Sequence, residues 1–329
     1  MRSLVTGAGG FVGLNVVEAL LRRGDEVVAL DASPLPPFAL EQLEALGGGL
    51  VTVHADVCDA GRLQDAFRDH SPERVVHAAV ITPGDEREQS EFDRIIDVNV
   101  KGAANVLRAA ADAGVARVVY VSSGSAYGRT LRERDTVSEE MAAAPDTLYS
   151  STKYAAECIC ARFREQRNLG VISVRVGSVF GPWERQSGVR DTLSLPFQMV
   201  SLARAGAEIR LPAREPRRDW IYSRDVAAGI LRLLDADAPA HALYNLATGA
   251  RACAIAMPWC EHIRSIWPES SCRVCESGEL PNVGFLGDLD RALMHTGRLS
   301  SDTGYTPHFD VQTALCDYAA WLRVNKGFL

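Results

Sequence analysis

Short apolar runs alternate with amphipathic stretches along the first half of the chain. The apolar runs are rich in β-branched residues, as in strands buried on both faces of a parallel sheet. They lie at residues 3–6, 26–30, 50–54, 74–78, 117–122 and 171–176. The stretches between them repeat apolar residues at helical spacing, over residues 11–23, 60–70, 91–113 and 148–168. Gly24 and Gly114 follow two of these stretches as C-caps. The pattern predicts an α/β fold with a doubly wound parallel sheet.

The pattern loosens after about residue 177, where prolines divide the chain into short elements. A helix is expected over residues 225–235 and a strand over residues 242–246, whereas the proline-rich residues 33–38 predict a loop. We therefore predict that residues 1–177 form a first domain around the parallel sheet. Residues 178–329 then form a smaller C-terminal α/β lobe, from which segments around residues 218–248 return to the first domain.

Composition and charge argue against a nucleic-acid-binding, membrane or secreted protein. The 329 residues carry 42 acidic and 35 basic side chains, and the net charge of −7 argues against nonspecific nucleic-acid binding. No apolar run approaches the roughly 20 residues that span a bilayer, and no signal peptide precedes the first strand. The expected location is the cytoplasm, where the eight cysteines would stay reduced. Lysine is scarce, since only Lys101, Lys153 and Lys326 are lysines.

A glycine-rich turn joins the first predicted strand to the first predicted helix. Residues 6–13 read TGAGGFVG, so that Gly7, Gly10 and Gly13 recur every three residues. Glycines at this spacing let the backbone approach a pyrophosphate, and the helix N-terminus adds unpaired N–H groups and a favourable dipole. Asp31 ends the second strand, where a carboxylate can bind the adenosine ribose and repel a 2′-phosphate. The first 31 residues therefore predict a site for NAD in preference to NADP.

A tyrosine and a lysine lie four residues apart on the predicted helix at residues 148–168. The sequence YSSTK at residues 149–153 places Tyr149 and Lys153 on one face of that helix. A nearby cation lowers the pKa of a phenol from its usual value of about 10. Tyr149 is therefore a candidate base that takes the proton of a secondary alcohol while hydride leaves its carbon. Ser123, at the end of the fifth strand, is placed to donate a hydrogen bond to the same oxygen.

These features resemble the extended short-chain dehydrogenase/reductase superfamily, also called the NAD-dependent epimerase/dehydratase family. The likeness extends over nearly the whole chain. The matching stretches are residues 6–13, 56–57, 77–79, 99, 121–128, 149–153, 175–182, 218–226, 244–249 and 304–307. The resemblance implies a Rossmann fold with a small substrate lobe, and NAD as the cofactor. It also implies a homodimer that packs the helices at residues 91–113 and 148–168 against their copies.

The resemblance also implies roles for individual residues. Tyr149 would be the acid/base, Lys153 would also hold the nicotinamide ribose, and Ser123 would orient the reacting oxygen. Asn99 would shape the catalytic and cofactor site through its helix. Together with the glycine turn, the expected cofactor contacts are Gly7, Gly10, Phe11, Val12, Gly13, Asp31, Asp56, Val57, Ala78 and Ala79. Within that set, Asp56 and Val57 would touch the adenine.

Three activities remain open on these residues. In the family, 4,6-dehydratases typically carry Asp-Glu after the catalytic serine or threonine, whereas Ser123 is followed by Gly-Ser-Ala. The main prediction is a nucleotide-sugar epimerase, which passes a hydride to NAD and takes it back. The alternative is an NAD-dependent dehydrogenase of a free sugar, sugar acid or other hydroxy compound, which releases NADH. A non-catalytic NAD-binding regulator is disfavoured because Ser123, Tyr149 and Lys153 are all present.

Substrate contacts are expected from Ser123, Ser178 and Arg218. Arg218 matches the arginine with which relatives hold a nucleotide diphosphate, and a guanidinium fork suits that role. Ser178 stands where nucleotide-sugar enzymes usually have Asn, and Leu280 stands where they have a second arginine. The candidate replacement cations are Arg185, Arg190, Arg214 and Arg217. The sugar, its reacting carbon and the presence of a diphosphate all stay open.

No metal site is predicted. Cys272 and Cys275 lie near Cys253, Cys260 and His262, but their spacing fits no standard zinc site.

Overall fold

The computed structural model describes residues 1–249, 254–285 and 289–328. The strands in these residues are β1 (Arg2–Thr6), β2 (Glu26–Asp31), β3 (Gly49–His54), β4 (Arg74–His77), β5 (Arg117–Ser123), β6 (Thr136–Val137), β7 (Val171–Val176), β8 (Ser178–Phe180), β9 (Ile209–Leu211), β10 (Trp220–Tyr222), β11 (Leu243–Leu246), β12 (Cys272–Val274) and β13 (Leu293–Met294).

The helices of the same residues are α1 (Phe11–Arg22), α2 (Pro37–Glu44), α3 (Ala60–His70), α4 (Asp85–Ser90), α5 (Phe92–Ile96), α6 (Ala103–Asp112), α7 (Thr130–Glu133), α8 (Leu148–Arg167), α9 (Leu195–Arg204), α10 (Ser223–Asp235), α11 (Ala256–Ile266), α12 (Gly297–Thr303) and α13 (Val311–Val324). A π-helical turn, Asp97–Gly102, joins α5 to α6, and a 3₁₀ turn, Gly124–Tyr127, follows β5.

Seven parallel strands form the central sheet, in the order β11-β7-β5-β4-β1-β2-β3. The chain winds outward from β1 to β3, returns to β4, and continues through β5 and β7 to β11. The inner strands are buried on both faces, and Val75, Val76, Val118 and Val119 have no exposed surface. Such strands fit a sheet that helices cover on both sides. The predicted α/β class and doubly wound sheet are confirmed, and the winding reverses between β1 and β4, where a crevice is expected.

The first half also contains elements that were not predicted, among them α2. Helix α2 begins at Pro37, inside the segment that was expected to be a loop, because proline is well suited to the first turn of a helix. The single helix predicted over residues 91–113 is divided into α5, the π-helical turn and α6. Gly24 and Gly114 have φ values of +86° and +68°, the left-handed conformation expected after a helix end.

The second half of the chain contributes both to the sheet and to smaller units. Strand β11 pairs with β7 at one edge of the central sheet, and α10 packs against α1. Three two-stranded parallel units, β8 with β10, β9 with β12 and β6 with β13, lie outside the central sheet. The return of residues 218–248 to the first domain and the domain boundary at residue 177 both stay predictions.

One cysteine pair corrects a prediction. Cys260 in α11 and Cys272 in β12 form a disulfide, although all the cysteines were expected to be reduced. Folding brings their Cα atoms to 6.1 Å, within the usual range for a disulfide. Cys253, which the sequence analysis grouped with them, lies outside the described residues. Among the described residues, no cluster of His, Cys, Asp and Glu has the geometry of a metal site.

No described helix is both long and apolar enough to cross a membrane.

Candidate active site

A cavity of about 750 Å³ opens beside the carboxyl ends of the central strands. Its wall contains every predicted site residue except Asn99. These residues are Gly7, Gly10, Phe11, Val12, Gly13, Asp31, Asp56, Val57, Ala78, Ala79, Ser123, Tyr149, Lys153, Ser178 and Arg218. Parallel strands end at the same edge of the sheet, which explains why residues so far apart in sequence meet there.

The glycine turn forms one end of the cavity, and its geometry admits no side chain at two positions. A Cβ at Gly13 would lie 2.0 Å from the carbonyl oxygen of Gly7, and one at Gly7 would lie 2.5 Å from the nitrogen of Ala79. Gly7 also has a φ of +66°, which L-residues rarely adopt. At these two positions no side chain covers the backbone of the turn or the first turn of α1, so a pyrophosphate can approach the backbone N–H groups.

Asp31 lies beside this turn at the end of β2. Its carboxylate accepts hydrogen bonds from the backbone N–H groups of Gly9, at 2.9 Å, and Ser33, at 3.0 Å. The guanidinium of Arg185 donates to the carbonyl oxygen of Gly9 at 2.8 Å and is attracted by Asp31. Arg185 could not be assigned to this end of the cavity from its sequence position, because a loop far along the chain carries it there.

Asp56 is held rigidly in the same part of the cavity. Its carboxylate accepts hydrogen bonds from the N–H of Cys58, at 2.8 Å, and from the guanidinium of Arg94, at 2.6 Å. Burial favours the neutral acid, but these two donors outweigh it and lower the pKa of Asp56. A fixed carboxylate and the adjacent Val57 make a polar and an apolar contact available at the place predicted for adenine.

Lys153 is buried behind the opposite part of the cavity. Its ammonium donates a hydrogen bond to the carbonyl oxygen of Val121 at 2.8 Å and lies 4.9 Å from the centre of the Tyr120 ring. Burial lowers the pKa of Lys153 to about 7, although the carboxylate of Glu157 opposes this change. The charge of this lysine is therefore easily gained or lost near neutral pH.

Tyr149 is half-buried in the cavity wall, on α8 one turn before Lys153. Burial raises the pKa of Tyr149, although hydrogen bonds with Ser123 and Thr82 and the charge of nearby arginines oppose it. The lowered pKa that the sequence led us to expect is therefore not found in this structure, because desolvation outweighs the surrounding donors and cations. The Ser123 hydroxyl is one of the groups that act on Tyr149, so the predicted acid/base and the predicted oxygen-binding hydroxyl lie close together.

Asn99 lies behind the cavity, in the π-helical turn, and is 2% exposed. Its amide accepts a hydrogen bond from the N–H of Ile81, at 2.8 Å, and donates to the carbonyl oxygen of Ile81, at 2.9 Å. It also donates to the hydroxyl of Thr152 at 3.1 Å. These bonds occupy the amide and tie the segment after β4 to the helix of Tyr149. Asn99 is not in the cavity wall but joins two segments that are, so its expected role in shaping the site stays a prediction.

A buried ionic network that was not predicted lies behind Tyr149 and Lys153. The guanidinium of Arg175 donates to the carboxylate of Glu157 at 2.6 Å, and the hydroxyl of Ser122 donates to the same carboxylate at 2.5 Å. Glu157 lies one helical turn after Lys153, and Arg175 interrupts the apolar run of β7. A charged residue within a fully buried strand was the available signal, since such charges are almost always paired.

Ser178 and Arg218 also line the cavity. Arg218 is buried, and its guanidinium donates to the carbonyl oxygens of Leu289, at 2.6 Å, and Arg217, at 2.9 Å. It lies 5.6 Å from the centre of the Phe285 ring. The guanidinium is therefore held at the cavity wall by carbonyl groups on neighbouring segments.

The other residues considered for substrate binding differ in whether they line the cavity. Leu280 is 80% exposed and is not part of the cavity wall, so its identity carries no information about a diphosphate. Arg185 and Arg190 do line the cavity. Arg214 and Arg217 lie outside it, where they form ion pairs with Asp290 and Asp135.

Most residues of a crossing segment, residues 185–195, line the cavity. Its middle is joined to Thr82, whose N–H donates to the carbonyl oxygen of Val189 at 2.8 Å and whose carbonyl oxygen accepts from the N–H of Asp191 at 3.0 Å. Just before the segment, the indole N–H of Trp183 donates to the carboxylate of Glu18 at 2.5 Å. Trp183 has a φ of +70° and is buried, so packing holds the chain in a conformation that tryptophan rarely adopts.

The fold, the bare glycine turn and the serine, tyrosine and lysine at the cavity define a class of nicotinamide-dependent Rossmann enzymes. Residues 3–247 match the model of the NAD dependent epimerase/dehydratase family, and the chain belongs to that family. NAD is its cofactor, and the glycine turn and the Asp31 carboxylate fit that group.

Individual relatives illustrate the range of this family. The UDP-glucose 4-epimerase of Mycolicibacterium smegmatis is 32% identical over 235 residues, which cover 70% of this chain and 72% of that protein. A dTDP-4-dehydro-6-deoxy-D-allose reductase of Streptomyces sp is 31% identical over 239 residues, which cover 70% of this chain and 72% of that protein. Among solved structures, a UDP-glucose-4-epimerase from Stenotrophomonas maltophila with bound NAD and formylated UDP-arabinopyranose superposes with a TM-score of 0.84. That structure is 22% identical and covers 100% of both chains.

Proposed function

We propose that the protein is a nucleotide-sugar epimerase, which oxidises a secondary alcohol of the sugar to a ketone and then reduces it from the other face. The observation that carries this proposal is the meeting of Ser123, Tyr149 and Lys153 at one cavity wall, with the glycine turn and Asp31 at the other end. The 32% identity to a UDP-glucose 4-epimerase supports the choice of reaction. The absence of a carboxylate from the sequence Gly-Ser-Ala after Ser123 supports it against a dehydratase.

Each catalytic group has a distinct task in this proposal. Bound NAD supplies the hydride acceptor and a positive charge near the reacting carbon. Tyr149 takes the proton of the sugar hydroxyl and later returns it, while Ser123 donates a hydrogen bond to the same oxygen. The raised pKa of Tyr149 keeps the phenol protonated in this structure, so it must lose a proton before the oxidative half. Lys153 holds the nicotinamide ribose, and its charge favours the phenolate.

The decisive experiment measures both the sugar products and the redox state of the coenzyme. Purified protein is incubated with UDP-glucose, UDP-glucuronate and their dTDP counterparts, and the sugars are followed by NMR together with NADH absorbance. An epimerase forms the 4-epimer with no steady gain of NADH. Steady NADH release would overturn the proposal and select the dehydrogenase.

A matched variant tests the proposed role of Tyr149. The Tyr149→Phe protein keeps the ring and loses only the hydroxyl, so it should still bind NAD. Its turnover should fall by about 1,000-fold or more, as expected for the loss of a general acid–base group. Unchanged turnover would exclude Tyr149 as the acid/base. The dehydrogenase of a hydroxy compound stays the second candidate, favoured by the 31% identity to a sugar-nucleotide reductase.

The proposal includes a homodimer through the helices around residues 91–113 and 148–168. Two aromatic side chains on this face support it, since Phe92 is 50% exposed and Tyr154 is 37% exposed. Light scattering of the Tyr154→Glu variant should give a monomer, with a dimer for the natural chain. A monomeric natural chain would exclude this assembly.

We propose a cytoplasmic location, supported by the five free cysteines among the described residues. The disulfide between Cys260 and Cys272 is the contrary observation. Alkylation of thiols in intact cells, followed by mass spectrometry, should find the five free cysteines reduced; their quantitative oxidation would place the protein in an oxidising compartment.

A further inference from the structure

Three arginines line the cavity around Tyr149, and we refer to Arg132, Arg190 and Arg291 as the arginine cluster. Arg190 and Arg291 each interact electrostatically with Tyr149, and Arg132 repels Arg291. The three come from separate parts of the chain: helix α7, the crossing segment and the residues just before β13. The fold therefore gathers positive charge beside the side chain that must touch the reacting sugar.

The position of Arg291 is fixed by its backbone. The N–H of Arg291 donates to the carbonyl oxygen of Arg217 at 3.1 Å, and its own carbonyl oxygen accepts from the guanidinium of Arg217 at 3.0 Å. The N–H of Ala292 donates to the carbonyl oxygen of Leu131 at 2.6 Å. Because Leu131 precedes Arg132, this last bond also brings the two arginine side chains together.

The charges of the cluster are not equally compensated. Arg132 forms an ion pair with Asp146, and Arg190 forms one with Glu184 at 3.2 Å. Within residues 1–249, 254–285 and 289–328, Arg291 has no carboxylate partner. Burial lowers the pKa of the Arg291 guanidinium, and the nearby Arg132 adds to that effect. A half-buried cation without an anion is costly, so the free protein contains a binding site for one negative group.

We propose that Arg291 binds a carboxylate on the sugar ring, so that the substrate is a nucleotide-linked hexuronic acid. This inference rests on the proposed function, because it takes Tyr149 as the group that touches the reacting hydroxyl. A guanidinium that acts on Tyr149 lies next to the sugar, and guanidinium binds carboxylate through two parallel hydrogen bonds. We assign the diphosphate to Arg218, which also lines the cavity, so that Arg291 stays available for the sugar.

The first test measures binding without turnover. The Tyr149→Phe protein with NAD is titrated calorimetrically with UDP-glucuronate, UDP-glucose and UDP, and with the corresponding dTDP compounds. The acid should bind roughly 10- to 100-fold more tightly than its neutral counterpart in at least one series, as expected for a charge-assisted hydrogen bond in a cavity. Absence of such a preference in both series overturns the proposal.

The second test assigns the preference to one side chain. Arg291→Gln, added to Tyr149→Phe, should remove roughly tenfold or more of the affinity for the acid and change the affinity for the neutral sugar less than about threefold. Arg291→Lys should restore part of the loss. Arg134→Gln, which removes an exposed arginine outside the cavity, is the matched control and should change neither affinity. Equal loss for the acid, the neutral sugar and UDP would assign Arg291 to the diphosphate and overturn the proposal.

Folding and function are checked separately. The melting temperature and NAD content of Arg291→Gln should match those of the parent protein. If the natural chain epimerises UDP-glucose and UDP-glucuronate with equal efficiency, the proposed epimerase activity is retained and the carboxylate site is rejected. If the acid binds selectively through Arg291 but no sugar is epimerised, the carboxylate site stands and the epimerase is rejected.

Discussion

The carboxylate of Asp31 accepts a hydrogen bond from the backbone N–H of Gly9 at 2.9 Å, which holds it beside the glycine turn. The carbonyl oxygen of the same glycine accepts a hydrogen bond from Arg185 at 2.8 Å. An anion that favours a ribose hydroxyl and a cation that favours a phosphate are therefore neighbours. Coenzyme choice depends on which of the two charges dominates this end of the cavity.

We expect Asp31→Ser to weaken NAD binding and to strengthen NADP binding, each by roughly tenfold. The variant removes the acceptor for the ribose and leaves Arg185 free to pair with the 2′-phosphate. Coenzyme titration monitored by protein fluorescence measures both constants. The double variant Asp31→Ser/Arg185→Gln is the control and should lose the gain for NADP. If that gain survives without Arg185, another group binds the phosphate.

The buried ammonium of Lys153 predicts a pH-dependent stability. Its pKa is lowered to about 7 in the folded protein, below its value of about 10.4 in an unfolded chain. Between these values the unfolded chain binds the extra proton, so stability increases as the pH rises from about 7. The steepest contribution of one such group is about 1.4 kcal/mol per pH unit.

Urea unfolding of the coenzyme-free protein between about pH 7 and 8.5 measures this effect. The natural chain should gain free energy of unfolding over this range relative to Lys153→Met, which carries no titrating group there. Lys101→Met removes an exposed lysine and is the control, with the same pH dependence as the natural chain. Parallel pH profiles for the natural chain and Lys153→Met would show that Lys153 keeps its usual pKa.

Gly13→Ala should abolish NAD binding. The added Cβ would lie 2.0 Å from the carbonyl oxygen of Gly7, so either the turn or the first residues of α1 must move. Gly47→Ala is the control, because a Cβ there meets nothing within 4 Å. Coenzyme content and melting temperature should both fall for Gly13→Ala and stay unchanged for Gly47→Ala. Normal coenzyme content in Gly13→Ala would show that the turn tolerates a side chain.

Glu157→Gln should destabilise the protein by about 3 kcal/mol or more, because it leaves the buried guanidinium of Arg175 without its counter-charge. The double variant Glu157→Leu/Arg175→Met removes both charges and should recover most of the loss. Glu165→Gln, an exposed position on the same helix, should change the free energy of unfolding by less than about 0.5 kcal/mol. Urea denaturation distinguishes these outcomes; a similar loss in Glu157→Gln and Glu165→Gln would contradict a special role for the buried pair.

The elements of the central sheet could be predicted because their sequence signals are local. Strands such as β4, β5 and β7 are apolar on both faces, and glycines mark the ends of neighbouring helices. The glycine turn and the four-residue interval from Tyr149 to Lys153 are local as well. Helix α2 was missed because Pro37 signals a loop and a helix start equally well.

The rest of the site depends on contacts between distant parts of the chain. The pKa of Tyr149 could not be predicted from its spacing to Lys153 in the sequence, because burial outweighs the nearby hydroxyls and cations. Arg291 gave no sequence signal, since its neighbours in the cavity come from α7 and the crossing segment. Leu280 was given weight by its place in a motif, yet it lies at the surface.

The crossing segment has a consequence for how the coenzyme is used. Because most of residues 185–195 line the cavity and two backbone hydrogen bonds tie them to Thr82, we expect these bonds to slow the exchange of NAD. In the proposed reaction, a sugar ketone that escapes before reduction would leave behind a reduced coenzyme that cannot exchange quickly. Each such escape would leave one active site inactive until a ketone bound again. The lifetime of the active protein therefore depends on how slowly the ketone intermediate dissociates.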